Sequence, residues 1–384
     1  MRGIALQVVR VLLSVLRRCI DLTARLLLKF NISVPALMAF ASPLDSKLLT
    51  QYLESANAKS FSVVCDLAVV PLSFDIFMLL AVAESYRRKH NFDRFNVTFM
   101  ISDADPLPVF HSKENPISEI DAKAVLLNLG MAAAQSFPAC GDISVFSSRT
   151  RFKEYLRDIR KRETIFPIDY SPDSPNYHLN GEAAPLYSPI HAFNLLGDDE
   201  TTLLQASPSS LERAGRWIDS VRSGRVIVSL TMRNTKNAPD RNSRSEEWQR
   251  LVDSFRDQSI LFVLIEDYFA PDFNDVVTGE NVIRCQAAVE SIPFRSALYE
   301  LADFNLLANS GSAALCYLNK NIRYAAVNIG LDARSSSAED MATQWGVAPN
   351  GQIWGNGPFR RWVWERDDFA VLKREIDLFL QSLP

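Results

Sequence analysis

Hydrophobic and polar positions along this chain form two recurring patterns: short apolar, β-branched runs, and longer stretches in which apolar residues return every three to four positions. The first pattern predicts buried strands and the second predicts helices. From residue 60 onward the two alternate. The reading gives a strand at 62–70, a turn at 71–75, a helix at 76–89 that ends in basic residues as its dipole favours, and a strand at 95–102. A helix at 118–137, a strand at 143–147, a basic helix at 149–161 and a strand at 165–170 follow. Residues 171–208 carry Pro172, Pro175, Pro185, Pro189 and Pro208 with little periodicity, which predicts an ordered crossing between two domains. A helix at 209–221 then opens a second alternation. Its members are strand 226–233, helix 245–257, strands 260–267 and 282–288, helix 293–302, strand 304–309, helix 311–319 and strand 323–329; a helix at 367–383 closes the chain. Strands alternating with helices predict parallel sheets covered on both faces, so the fold class is α/β with two such units.

The first thirty residues follow a different pattern. Arg2, Arg10, Arg17, Arg18, Arg25 and Lys29 stand among Leu, Val and Ile against a single acid, Asp21. The uncharged run 11–16 is far short of the roughly 20 apolar residues that span a bilayer. Polar residues at three- and four-residue spacing predict an amphipathic helix that lies in the headgroup plane, its arginines on anionic lipid. An Arg-rich transit peptide and an ordinary packing helix are the alternatives. The expected division is 1–30 amphipathic helix, 31–59 linker with a short helix, 60–208 first domain, 209–366 second domain and 367–384 closing helix.

Composition narrows the function. A chain of 384 residues with 47% hydrophobic and 22% charged residues is long enough for two cores. Its net charge of −4 offers no electrostatic case for nucleic acid. Cys19, Cys65, Cys140, Cys285 and Cys316 are scattered and mostly sit in apolar runs, as reduced thiols of a cytoplasmic protein do. The four histidines (His90, His111, His178 and His191) are far apart, and no Cys-x-x-Cys is present, so no structural metal is expected. Neither a Gly-x-Ser-x-Gly elbow nor a Gly-x-Gly-x-x-Gly occurs, which argues against hydrolase and dinucleotide chemistry.

The candidate chemistry sits at strand ends of the second unit. The run 226–233 delivers Arg233 to the carboxyl edge of its sheet, where α/β proteins bind ligands, and Arg241 follows in the polar loop. Two guanidinium groups suit an anion with several oxygens, such as a diphosphate. The strand 304–309 breaks into Asn309, Ser310, Gly311 and Ser312, small residues that let a phosphate approach free N–H groups. A Ser-capped strand-to-helix junction is the plainer explanation of that turn. Asp267, ending its strand, stands at the same edge.

Arg233-Asn234, Arg241-Asn242-Ser243, Trp248 and the turn Asn309-Ser310-Gly311-Ser312 resemble motifs of the GT-B class of nucleotide-sugar glycosyltransferases. The resemblance spans about residues 60–384 and is strongest to bacterial surface-polysaccharide enzymes of fucosyltransferase-like and heptosyltransferase-like types. It implies two facing Rossmann-like domains, with the donor diphosphate on Arg233, Arg241, Asn309, Ser310, Gly311 and Ser312. Asn234, Asn242, Ser243 and Asp267 would then serve the nucleoside and its loop, and the last helix would cross back onto the first domain. The tandem His-x-Arg-Arg pattern of fucosyltransferases is absent, which leaves the sugar open. The implied activity is inverting, metal-independent transfer to a glycan or lipid-linked acceptor, the nucleotide-sugar being a substrate and no cofactor being needed. Asp103-Ala104-Asp105 has a metal-motif spacing but lies in the first half. A general base is expected from the first domain, with Asp75 at the first strand-to-helix turn the leading candidate and Asp103, Asp105 and His111 its rivals. A GT-B-shaped sugar epimerase and a non-catalytic carbohydrate-binding scaffold are the alternative functions. The expected location is the cytoplasmic face of the membrane, peripherally bound.

Overall fold

The first apolar run folds as β1 (Ser60–Asp66), buried at every position after its first residue. A parallel strand covered on both faces requires this. The computed structural model describes residues 59–70, 73–101, 126–175, 188–192, 203–234, 239–266, 277–331, 337–353 and 357–383. Ser60–Pro384 forms one compact unit, and the following description concerns it. The helix expected at 1–30 and the expected linker, apart from Lys59, lie outside the described residues. Among the described residues, no helix is long and apolar enough to cross a membrane.

After β1 come α1 (Asp75–Lys89), β2 (Arg94–Met100), a π-helical turn (Leu126–Gly130) leading into α2 (Met131–Gln135), β3 (Cys140–Phe146), α3 (Arg149–Ile159) and β4 (Thr164–Phe166). These strands form a sheet of order β3-β2-β1-β4. The second half runs α4 (Pro208–Arg222), β5 (Val226–Thr231), a 3-10 turn (Pro239–Arg241), α5 (Ser245–Ser254), β6 (Ile260–Ile265) and β7 (Val282–Arg284). It continues through α6 (Gln286–Glu290), α7 (Ile292–Leu301), β8 (Phe304–Ala308), a 3-10 turn (Gly311–Ala313), α8 (Ala314–Tyr317) and β9 (Tyr324–Val327). It ends with α9 (Ala338–Trp345), β10 (Arg360–Trp362) and α10 (Phe369–Leu380). The second sheet has the order β10-β9-β8-β5-β6-β7. Every pairing between these strands is parallel, as the alternation predicts.

Strand order fixes where ligands can bind. From β5 the chain winds one way to β6 and β7, then returns to place β8 on the other side of β5. The connections diverge at the carboxyl ends of β5 and β8 and leave a crevice there. In the first sheet the same reversal falls between β1 and β4. Helix α1 joins the two halves. It is buried on all sides from Ile76 to Ser85, as a helix without a polar face must be, and it packs on β1, β2 and α8. One hydrophobic core therefore runs from the first sheet through α1 to one face of the second, and Val228, Leu230, Phe262, Leu264 and Leu306 build a second core on the opposite face.

Several expected elements shift. The strand read at 165–170 stops at Phe166 because Pro167 cannot donate to a ladder. The strand read at 282–288 stops at Arg284, and Gln286–Glu290 is helical. The strand at 143–147 begins earlier, at Cys140. The helix at 311–319 shrinks to the 3-10 turn and the single turn of α8. Helix α9 and strand β10 are additions. The closing helix does not cross to the first sheet. Helix α10 packs on α5 and β8 of its own half, with Phe379 stacked on Phe304 at 4.8 Å between ring centroids.

Candidate functional site

Strand β5 ends at Thr231, and the chain carries Arg233, only 9% exposed, past the sheet edge. The loop that follows is closed at its base. The Arg233 N–H donates to Ser243 Oγ at 2.9 Å, and the Ser243 N–H donates back to the Arg233 carbonyl at 2.9 Å. Asn242 Nδ2 reaches Asn234 Oδ1 at 3.5 Å within the loop. Ser243, expected near a nucleoside, is thus engaged in holding the loop shut. The far end of the loop is fixed by a residue the motif reading missed. Asp367, wholly buried, accepts the Arg244 N–H at 2.9 Å and the Trp248 indole N–H at 2.8 Å. Its own N–H donates to Asn328 Oδ1 at 2.8 Å. Trp248 is therefore buried as an anchor for the start of α5.

This bracing aims Arg241 across the crevice, where Nη2 donates to the carbonyl of Asn309 at 3.2 Å. Burial, and then the neighbouring charge of Arg233, push the Arg241 guanidinium down to about 10. It remains a cation at neutral pH in a place that favours an incoming anion. The two arginines and the turn after β8 thus meet at the crevice between β5 and β8.

In that turn, Ser310 has extended backbone and caps no helix N–H; its hydroxyl bonds that of Ser312 at 3.0 Å. Ser312 in turn meets the hydroxyl of Tyr299, which bonds Thr231 Oγ1 at 2.7 Å. A chain of four hydroxyls therefore spans the crevice floor from the end of β5 to the turn after β8. Burial pushes the Tyr299 phenol up to about 12, which keeps it a donor. No sequence periodicity announces this chain, because its members come from three separate elements.

Gly311 brings in the first half of the molecule. A Cβ there would lie 2.8 Å from Phe74 Cδ2 and 3.1 Å from Phe74 Cβ, so only glycine allows the two turns to touch. Phe74 immediately precedes Asp75, the first residue of α1, whose carboxylate accepts the Ser73 hydroxyl at 2.8 Å. The expected base thus sits one residue from the contact with the turn after β8. Gly311→Ala should lower the melting temperature, at a cost of about 1–3 kcal/mol for overpacking, and should lower turnover by moving the Asp75 turn. Wild-type melting and turnover together would show that the contact yields freely. Asp103, Asp105, His111 and Asp267 lie outside the described residues.

A second buried carboxylate marks the reversal point of the first sheet. Asp66, at the end of β1, accepts the Tyr170 hydroxyl at 2.6 Å, the Ala68 N–H at 3.1 Å and Arg149 Nη2 at 3.0 Å, and pairs also with Arg149 Nη1. Burial and the bond to Asp66 push the Tyr170 phenol up, so it stays protonated. A carboxylate so fully engaged is a clamp on the edge of the sheet.

No protein-family model and no curated protein matches this chain in sequence. Among solved structures it is similar to the family 9 glycosyl transferase of Veillonella parvula, at 10% identity over 84% of this chain and 98% of that one, with a TM-score of 0.49. It is also similar to the ADP-heptose lipopolysaccharide heptosyltransferase II of E. coli, at 13% identity over 84% and 99% of the two chains, with a TM-score of 0.47. The E. coli heptosyltransferase WaaC bound to ADP-2-deoxy-2-fluoro heptose gives 10% identity over 84% and 99%, with a TM-score of 0.42.

Proposed function

We propose that this chain is a glycosyltransferase that moves a sugar from a nucleotide-diphosphate donor to a hydroxyl of a glycan or lipid-linked acceptor. The observation that carries the reading is the meeting of the two turns. Gly311 touches Phe74 beside Asp75, and Arg241 bonds the Asn309 carbonyl two residues before Gly311, so a carboxylate-bearing turn and an arginine-bearing loop converge on one small turn. An inverting transfer needs such an arrangement. The carboxylate of Asp75 takes the acceptor hydroxyl proton as the oxygen attacks the anomeric carbon. The bond from that carbon to the phosphate oxygen breaks, and the electron pair leaves with the diphosphate. Arg233, Arg241 and the N–H groups of Ser310, Gly311 and Ser312 stabilise the departing charge without a metal. Asn234 and Asn242 hold the arginine loop, whose outer face receives the nucleoside together with Asp267.

Turnover of nucleotide-sugars, ADP-heptose among them, with and without acceptor and in the presence of EDTA, tests the reading. Acceptor-dependent release of nucleoside diphosphate that survives chelation is the expected result. Sugar interconversion without acceptor would replace it with an epimerase, and binding without turnover with a scaffold. Loss in EDTA restored by manganese would return attention to Asp103 and Asp105.

The reading also places residues 1–30 on an anionic membrane at its cytoplasmic face, where a lipid-linked acceptor is presented. Deleting them should release the protein from anionic vesicles, each basic residue having contributed about 1 kcal/mol. Undiminished vesicle binding by the truncated chain would remove the membrane from the account.

A further inference from the structure

Arg295 is the only basic residue of α7 and is completely buried, at 0% exposure. Its Nη2 donates to the carbonyl of Glu266 at the end of β6, while Nε and Nη1 are buried without a hydrogen-bond acceptor. The Glu266 carboxylate does not neutralise it, turning instead to Arg284 at 3.5 Å. Among the described residues, the titratable side chains that feel Arg295 are the thiols of Cys285 and Cys316 and the phenol of Tyr299, all neutral at physiological pH because burial raises each of them. No carboxylate of the described residues pairs with it, and a guanidinium without a counter-charge is among the most costly things a fold can bury.

Its position gives the cost a reason. Arg295 and Tyr299 are four residues apart and share one face of α7. Tyr299 is the member of the hydroxyl chain that joins Thr231 to Ser312 on the crevice floor. Helix α7 leads into β8 and therefore runs back from the carboxyl edge of the sheet, so Arg295 stands one turn nearer that edge than Tyr299, beside the Glu266 carbonyl just past β6. It is no more hidden than the residues of that hydroxyl chain, since Ser312 and Tyr299 are equally buried and Ser310 nearly so.

We propose that Arg295 is an anion-binding residue of the same crevice, its missing counter-charge being a phosphate oxygen of the nucleotide diphosphate. The proposal deepens the donor reading and takes from it only the identity of the anion. Without ligand, the open N–H donors of Arg295 weaken the fold; with it, they complete a third cationic contact beside Arg233 and Arg241.

The test uses the full chain and its R295M and R295K variants, with melting temperature and calorimetric titration of inorganic pyrophosphate and of ADP, UDP, GDP and CDP. Methionine fills similar space without a charge. R295M should melt at or above the wild-type temperature and bind pyrophosphate roughly 10- to 100-fold more weakly. A lower melting temperature, or unchanged pyrophosphate affinity, would instead make Arg295 a structural tie to the Glu266 carbonyl and overturn the proposal. Should R295M not fold, R295K keeps the charge on a shorter, non-planar head and should lose part of the affinity; wild-type affinity in R295K overturns the proposal as well. If the wild-type chain does not bind pyrophosphate, Arg295 has no such role. If it binds pyrophosphate but none of the nucleotides, the role stands and the nucleotide-sugar reading falls.

Discussion

Asp75→Asn should leave the melting temperature and donor binding near their wild-type values while transfer to the acceptor falls by about 10²–10⁴-fold, the range for a lost general base. The separation of the two effects follows from local geometry. The carboxylate accepts the Ser73 hydroxyl at 2.8 Å, and the Asp75 N–H donates to Ser73 Oγ at 3.2 Å. Asparagine keeps an oxygen that accepts the first bond and a backbone that makes the second, so the helix start survives. What it loses is the ability to take a proton, together with a charge in the first turn of α1 that contributes about 0.3–1 kcal/mol through the helix dipole. Melting temperature and transfer rate on this one variant decide between the roles. A normal rate with a slightly lower melting temperature would make Asp75 a dipole partner and move the search to Asp105 and His111.

Much of the fold is legible in the sequence because both sheets are parallel and covered on both faces. Their strands are short, nearly continuous apolar runs that stand out from the helices between them, as in β6 (Ile260–Ile265), buried at every position. The placement of charge at strand ends is legible for the same reason: Arg233 ends an apolar run and has only the sheet edge to occupy. What is lost is whatever depends on distant parts of the chain. Asp367 braces Arg244 and Trp248 across more than 110 residues of sequence, and no local spacing reveals it. Phe74 reads as part of a turn, and its contact with Gly311 emerges only when α1 is laid between the two sheets.

Two misses did carry a signal. Ser337 and Asp340 form a capping box that announces α9, and a lone arginine in the apolar stretch 292–299 announces Arg295 as a buried charge needing an explanation. The overrun of β4 beyond Phe166 is a weighting error of the opposite kind, apolar content having outvoted Pro167. The closing helix fails for a different reason. Its apolar face fits either half equally well in sequence, and the stacking of Phe379 on Phe304 selects the second.

Arg241→Ala should weaken binding of a nucleoside diphosphate by about 1.5–3 kcal/mol, or roughly 10- to 150-fold, with free nucleoside affinity unchanged. Burial and Arg233 push the Arg241 guanidinium down, and Asp240, Tyr317 and Asp340 only partly offset them. An arriving diphosphate brings negative charge to this buried guanidinium, so the contact strengthens on binding. On the stability side, the substitution loses the hydrogen bond to the Asn309 carbonyl at 3.2 Å and relieves the repulsion with Arg233. Arg233→Ala should act on diphosphate affinity in the same direction, and its N–H can still bond Ser243 because the backbone is unchanged. The informative comparison is between ligands. If diphosphate and nucleoside affinities fall together in Arg241→Ala, the residue serves by holding the turn at Asn309 in place, and the phosphate must be sought nearer the N–H groups of Gly311 and Ser312.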